Sequence, residues 1–198
     1  MKKYLLIAAI LCIIPIAAFG WGIGLICSGG AGGGSSCDSV VQSATEANPS
    51  DARSLGRYSS DRHVSTTFTA SKSTTICKFT VFLIRVGDLS SRTVTAHIYD
   101  DNSGPPGSSL GNSSALDVSG VSTSGEDVEF TLSVPITNTT PYHIVLSSSA
   151  ASADNYLIWR YNSSSASGHM YYSTDDAGSP NNWVEWGANE WGYFDLYE

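Results

Sequence analysis

Asp127-Val128-Glu129-Phe130-Thr131-Leu132-Ser133-Val134 alternates a polar residue with a large apolar one at every step. A strand points successive side chains to opposite faces, so this stretch has one face to bury and one to wet, a pattern no helix produces. Val94, Ala96 and Ile98 alternate in the same sense with Thr93, Thr95, His97 and Tyr99, which places His97 outward. Residues 76–86 are apolar on both faces for part of their length, as expected of a covered strand in mid-sheet. Further strands read at 64–70, 113–118, 142–147, 156–161, 169–173, 182–186 and 192–197. Turn clusters separate them, notably 100–107 and 175–181, where Gly supplies positive φ and Pro presets it. Short strands at this spacing, without an amphipathic helix or internal repeat, predict an all-β, antiparallel two-sheet β-sandwich of the jelly-roll kind over 62–198.

Outside that domain the pattern changes. Met1-Lys2-Lys3 and the apolar run to Phe19 read as an export signal over 1–20, with cleavage before Trp21 after Ala18-Phe19-Gly20. The rival is an uncleaved anchor, because apolar character continues to Ile26 and reaches the roughly 20 residues a membrane span needs. Residues 21–61 read as a Gly/Ser-rich tether, too poor in large apolar groups to offset its ordering entropy. A short helix after Pro49 is conceivable there, without an apolar stripe to dock it.

An extracellular or cell-surface setting permits disulfides, and three cysteines follow the signal: Cys27, Cys37 and Cys77. The flexible loop between Cys27 and Cys37 favours that pairing, leaving Cys77 as a buried thiol in an apolar strand. A lipid-anchored Cys27 is disfavoured by Ile26, where lipobox processing expects a small residue. Without Lys2 and Lys3, 8 basic residues face 18 acidic ones. Sparse, scattered cations argue against nucleic acid and anionic membrane surfaces, leaving membrane contact only through an uncleaved N-terminal segment.

Several stretches carry a likeness: Thr75-Ile76-Cys77-Lys78, Arg85-Val86-Gly87, His97-Ile98-Tyr99-Asp100 leading into Gly104-Pro105-Pro106-Gly107 and Leu110-Gly111, Pro141 to Leu146, Asn155-Tyr156 with Trp159, and Trp183 closing on Phe194-Asp195-Leu196-Tyr197. Together they resemble the jelly-roll modules of bacterial and phage-like surface proteins, including those called choice-of-anchor domains, which are similar in shape to carbohydrate-binding modules. The resemblance covers residues 62–198. It implies a secreted β-sandwich attached to something, and supplies no binding residues. Such domains often end in a sorting tail, which this sequence lacks at Glu198, so the N-terminal segment is expected to do any holding.

The richest chemical feature is aromatic crowding near the end of the chain. Flat rings with a polar edge suit stacking on sugars, and Trp159, Tyr161, Tyr172, Trp183, Trp186 and Trp191 are the candidate ligand contacts. Against this, one parity of 156–161 must point inward, so Leu157, Trp159 and Tyr161 are equally good core residues. Asp100-x-Asn102-x-Gly104 opens like a calcium loop but has Gly111 at the twelfth position, which favours a plain turn. Asp175 ahead of Trp183 has the wrong spacing for an aspartate-box hairpin.

No metal site or cofactor is expected, and no Gly-x-Ser-x-Gly elbow occurs. His63, His97, His143 and His169 each read as a surface or strand residue. Glu185 and Glu190 are the one carboxylate pair worth testing for glycoside hydrolysis. Asn112, Asn138 and Asn162 begin sequons that matter only in a eukaryotic secretory host. The expected function is thus a non-catalytic recognition module, most plausibly for glycan. A structural or adhesion subunit of a surface or virion-associated assembly, contacting another surface protein, is the alternative, and a jelly-roll glycosidase a second one.

Overall fold

The alternation at 127–134 is realised residue by residue. In a computed structural model, Val128, Phe130, Leu132, Val134 and Ile136 are buried while each residue between them is exposed. The structure describes residues 37–44, 51–59, 62–162, 168–173, 182–188 and 190–198. The expected export signal, Cys27, the Gly run at 29–34 and the turn at 175–181 lie outside the described residues.

Fourteen strands form, with no α-helix among the described residues. The first sheet contains β1 (Val40–Ala44), β2 (Asp51–Leu55), β4 (Thr74–Val86), β8 (Glu126–Ile136), β10 (Tyr156–Asn162), β13 (Trp191–Gly192) and β14 (Phe194–Tyr197). The second contains β3 (His63–Thr69), β5 (Thr93–Asp101), β6 (Pro106–Asn112), β7 (Leu116–Asp117), β9 (Pro141–Ser148), β11 (His169–Ser173) and β12 (Trp183–Ala188), in the order β12-β11-β3-β9-β5-β6 with β7 also on β5. All pairings are antiparallel, and consecutive strands largely change sheet, which is the jelly-roll habit. β4 carries β8 along one edge, while β14 and β10 share the other in tandem.

Between the sheets lies a core whose largest members are Trp159, Phe68, Phe79, Phe130 and Phe194. Full burial of side chains of this kind stabilises by about 1.5–3 kcal/mol each. Phe68 stacks on Tyr142 at 5.6 Å and meets Phe194 of the other sheet at 5.9 Å, joining the layers at their middle. Gly192 lets its strand approach that core, because a Cβ there would stand 2.6 Å from the Trp159 ring.

Three expectations need correction. The segment expected as tether is structured where it is described: β1 pairs with β14 and β2 with β10, so the first sheet recruits residues well before 62. The conceivable helix after Pro49 is instead β2, whose Leu55 is buried opposite Leu157. Cys37 is bonded not to Cys27 but to Cys77, with Cα atoms 5.9 Å apart, so Cys77 is no free thiol. Sequence proximity favoured the short loop, whereas pairing of β1 with β14, and of β14 with β4, carries Cys37 to the strand that holds Cys77.

Candidate functional site

The two sheets differ most on the faces turned away from the core. On the first sheet that face carries ordinary solvated contacts, such as Lys78 with Glu129 at 3.2 Å and Lys78 over the Tyr197 ring at 4.7 Å. On the second sheet, residues opposite one another in the ladders share a face. One row runs Glu185, Tyr171, Ser65, Val145 and His97, and the next runs Thr67, His143 and Tyr99. His63 lies one step along from Ser65, and His169 donates its backbone N–H to Thr67 Oγ1. All 4 histidines of the chain therefore gather on this one outer face.

That face is concave. Tyr99 on β5 and Trp183 on β12 are four strand positions apart, about 19 Å on a flat sheet at ~4.8 Å per strand. Their ring centroids are nonetheless only 6.4 Å apart, so the sheet curls into a trough. Across its floor His143 and Tyr171 meet at 5.6 Å above the small residues of β3 that separate their strands. The floor is dry: Ser65, His143 and Val145 are each 0% exposed.

Two imidazoles, buried His143 and half-exposed His169, have acidic partners at the trough's end. His143 Nε2 lies 3.1 Å from Asp101 Oδ1, and His169 Nδ1 lies 2.6 Å from Glu185 Oε1. An ionised carboxylate only accepts, so Asp101 takes the proton on His143 Nε2 and leaves Nδ1 as a lone pair. Burial pushes the His143 pKa below its ordinary value, against the upward pull of Asp101 and Asp100, and lowers that of His97 too. The Tyr171 phenol is pushed up to about 12 by burial and by the nearby Glu185 and Asp101, so it stays a protonated donor. Ser65 Oγ, His97 Nδ1, His143 Nδ1 and Trp183 Nε1 are buried and find no hydrogen-bond partner among the described residues. Orphaned buried polar atoms at this density require an explanation.

The trough opens into a cleft of about 400 Å³ where β3, β5, β9 and β11 end. Thr67, Asp101, His169 and Tyr171 form one wall; Gln42 of β1 and the Trp191 ring come from the first sheet. The Trp191 ring occupies the space a Cβ on Gly168 would need. Here too Gln42 Oε1 and Trp191 Nε1 are buried without a partner among the described residues. The cleft thus offers the Tyr171 and Trp191 rings beside the hydroxyl-bearing Thr67, Thr69 and Tyr171, with an unpaired amide oxygen and an unpaired indole N–H enclosed in its wall.

Of the six aromatic candidates, Trp191 lines this cleft and Trp183 the trough. Trp159 is not a surface ring: it is 0% exposed, and its indole N–H donates to the Tyr193 carbonyl at 3.0 Å. Its parity faces inward opposite Arg53 and Leu83. Tyr161, Tyr172 and Trp186 belong to a seam at the sandwich edge. There Arg53 stacks 4.9 Å from Tyr161 and 5.0 Å from Trp186, Tyr172 packs 4.8 Å from Trp186, and Glu190 holds Arg53 by bonds of 2.7 and 2.9 Å. Glu185 and Glu190 therefore serve different partners, His169 and Arg53. Pro106 and Gly107, expected to close a turn, instead open the edge strand β6.

The histidines, Asp101, Tyr99, Tyr171, Thr67 and Gln42 were not identified from the sequence as site residues. The outward parity of His97 and Tyr99 was legible; that the sheet curls around them, and that Gln42 of the first sheet reaches the same cleft, was not. No family model matches the chain, and comparison with curated proteins and solved structures finds no match either, so any functional reading rests on this site.

Proposed function

We propose that the chain is a non-catalytic recognition module, exported to the cell surface or beyond, that binds glycan in the cleft between Trp191 and Tyr171. The likeness to choice-of-anchor and carbohydrate-binding modules fits this reading. What carries it is the pairing of stacking rings with polar side chains in one cleft: Trp191 and Tyr171 line it together with Thr67, Gln42 and Asp101, and Gln42 Oε1 and Trp191 Nε1, enclosed in its wall, have no partner among the described residues. A sugar supplies hydroxyls that both donate and accept, and an apolar face for a ring.

The test is a glycan array followed by titration calorimetry. Trp191→Ala and Gln42→Ala are expected to weaken the best glycan at least tenfold, while Tyr58→Ala, an exposed ring away from the cleft, leaves it unchanged. Equal affinity in Trp191→Ala overturns the assignment.

A second reading, as a subunit of a surface assembly, draws on β1. Its one ladder among the described residues is with β14, and Val40 on it is exposed. An unpaired strand edge is a template for another chain. A defined oligomer by size exclusion, with no glycan signal, would favour it.

A further inference from the structure

We propose that this cleft selects its ligand by charge: it holds an uncharged, hydroxyl-rich chain while the imidazoles behind its wall are neutral, and releases that chain on acidification. The proposal rests on the recognition reading above and adds what is recognised and when.

The lining explains the first half. Among the described residues Asp101 is the one acidic residue in the cleft wall, and no Lys or Arg lines it. A carboxylated or sulfated glycan would lose water beside Asp101 and gain no cation in return. Asp101 is in turn already engaged, accepting from His143 Nε2 and from the Gly104 backbone N–H, so it is poorly placed to neutralise an amino sugar. Uncharged hydroxyls meet neither penalty.

The second half follows from His143. It is wedged between Asp101 and Tyr171, two residues of the cleft wall, without itself reaching solvent. The groups around it are Asp100, Asp101 and Tyr99 from β5, Tyr171 and His169 from β11, uncharged Thr67 from β3, and Glu185 of β12 behind His169. With Nε2–H fixed on Asp101, the next proton can enter only at Nδ1, which faces no acceptor among the described residues. A charged imidazolium with an unpaired N–H in a dry floor must draw in water or a new acceptor, and the neighbours that yield are the wall residues Tyr171 and Asp101. His97, half-buried with its Nδ1 enclosed and unpartnered among the described residues and edge-on to Tyr99, extends the strain along the trough.

The experiment applies the full-length protein to an array of neutral, carboxylated, sulfated and amino glycans at pH 7.5 and pH 5, with near-UV circular dichroism confirming the fold. Histidine ¹⁵N spectra report the His143 tautomer. Expected are binding to neutral glycans alone at pH 7.5, at least a tenfold loss at pH 5, and an Nε2–H tautomer for His143. In His143→Gln the loss on acidification should shrink to under threefold. Preference for a charged glycan, an affinity unchanged between the two pH values, or a proton on Nδ1 at pH 7.5 overturns this proposal and leaves recognition standing. Silence of the array at both pH values overturns both.

Discussion

On β8, every residue turned away from the core is exposed, from Asp127 through Pro135; on β9, the equivalent positions 143 and 145 hold a buried histidine and a buried valine. Both strands alternate in backbone direction, yet only β8 alternates in environment. The difference lies one level above the strand. The first sheet leaves its outer face open, so polar residues there do little beyond staying wet. The second curls, so rings from distant strands close over its outer face and make a second interior. Polar groups in that second interior are costly unless they have work to do, which is why it is the place to look for function.

The contrast is sharpest for truncations. Tyr171→Ala, on the curled face, should destabilise by about 3–5 kcal/mol in denaturant unfolding, as for a core aromatic. If it is instead as mild as a surface change, the second interior does not exist as described.

Acid tests the same contrast at lower amplitude. His97 and His143 hold a proton less tightly folded than unfolded, so below their ordinary value near 6.5 the unfolded chain binds more protons. Stability contributed by keeping them neutral is therefore complete above about pH 6.5 and falls as pH drops through and below that value. Urea midpoints between pH 7.5 and 5 should decline, and the His97→Gln, His143→Gln double variant should show a flatter decline over that interval. An unchanged slope would mean these imidazoles titrate as solvated ones.

On the open face, Lys78→Ala, which removes the partner of Glu129, should shift stability by less than about 1 kcal/mol, with any effect vanishing in high salt. A larger, salt-resistant loss would show that the first sheet's outer face is also structurally committed.

The sequence made β8, β5 and β10 legible because a single wet face stamps a period of two on the chain. His97 and Tyr99 showed their outward parity equally well, but parity says which way a side chain points and nothing about what closes over it. Trp159 and Trp191 both stood among the candidate ligand contacts. One is sealed opposite Arg53 and Leu83 and the other borders a cleft, because their strands occupy different places in the first sheet. The disulfide was misjudged for a related reason: spacing along the chain identified Cys27 as the neighbour of Cys37, while strand order brought Cys77 there.

That bond redirects mechanical load. Tension pulling on the chain from the N-terminal side arrives at Cys37 and crosses covalently to Cys77 on β4, the strand flanked on both edges in the first sheet. The edge strand β1 cannot be unzipped first, and β1, β2 and β3 sit inside a closed loop that bears no force while the bond is intact. The loop spans 40 positions, so stretching the oxidised protein from its ends should release about 140 Å less contour length than stretching the reduced one, at ~3.5 Å per residue.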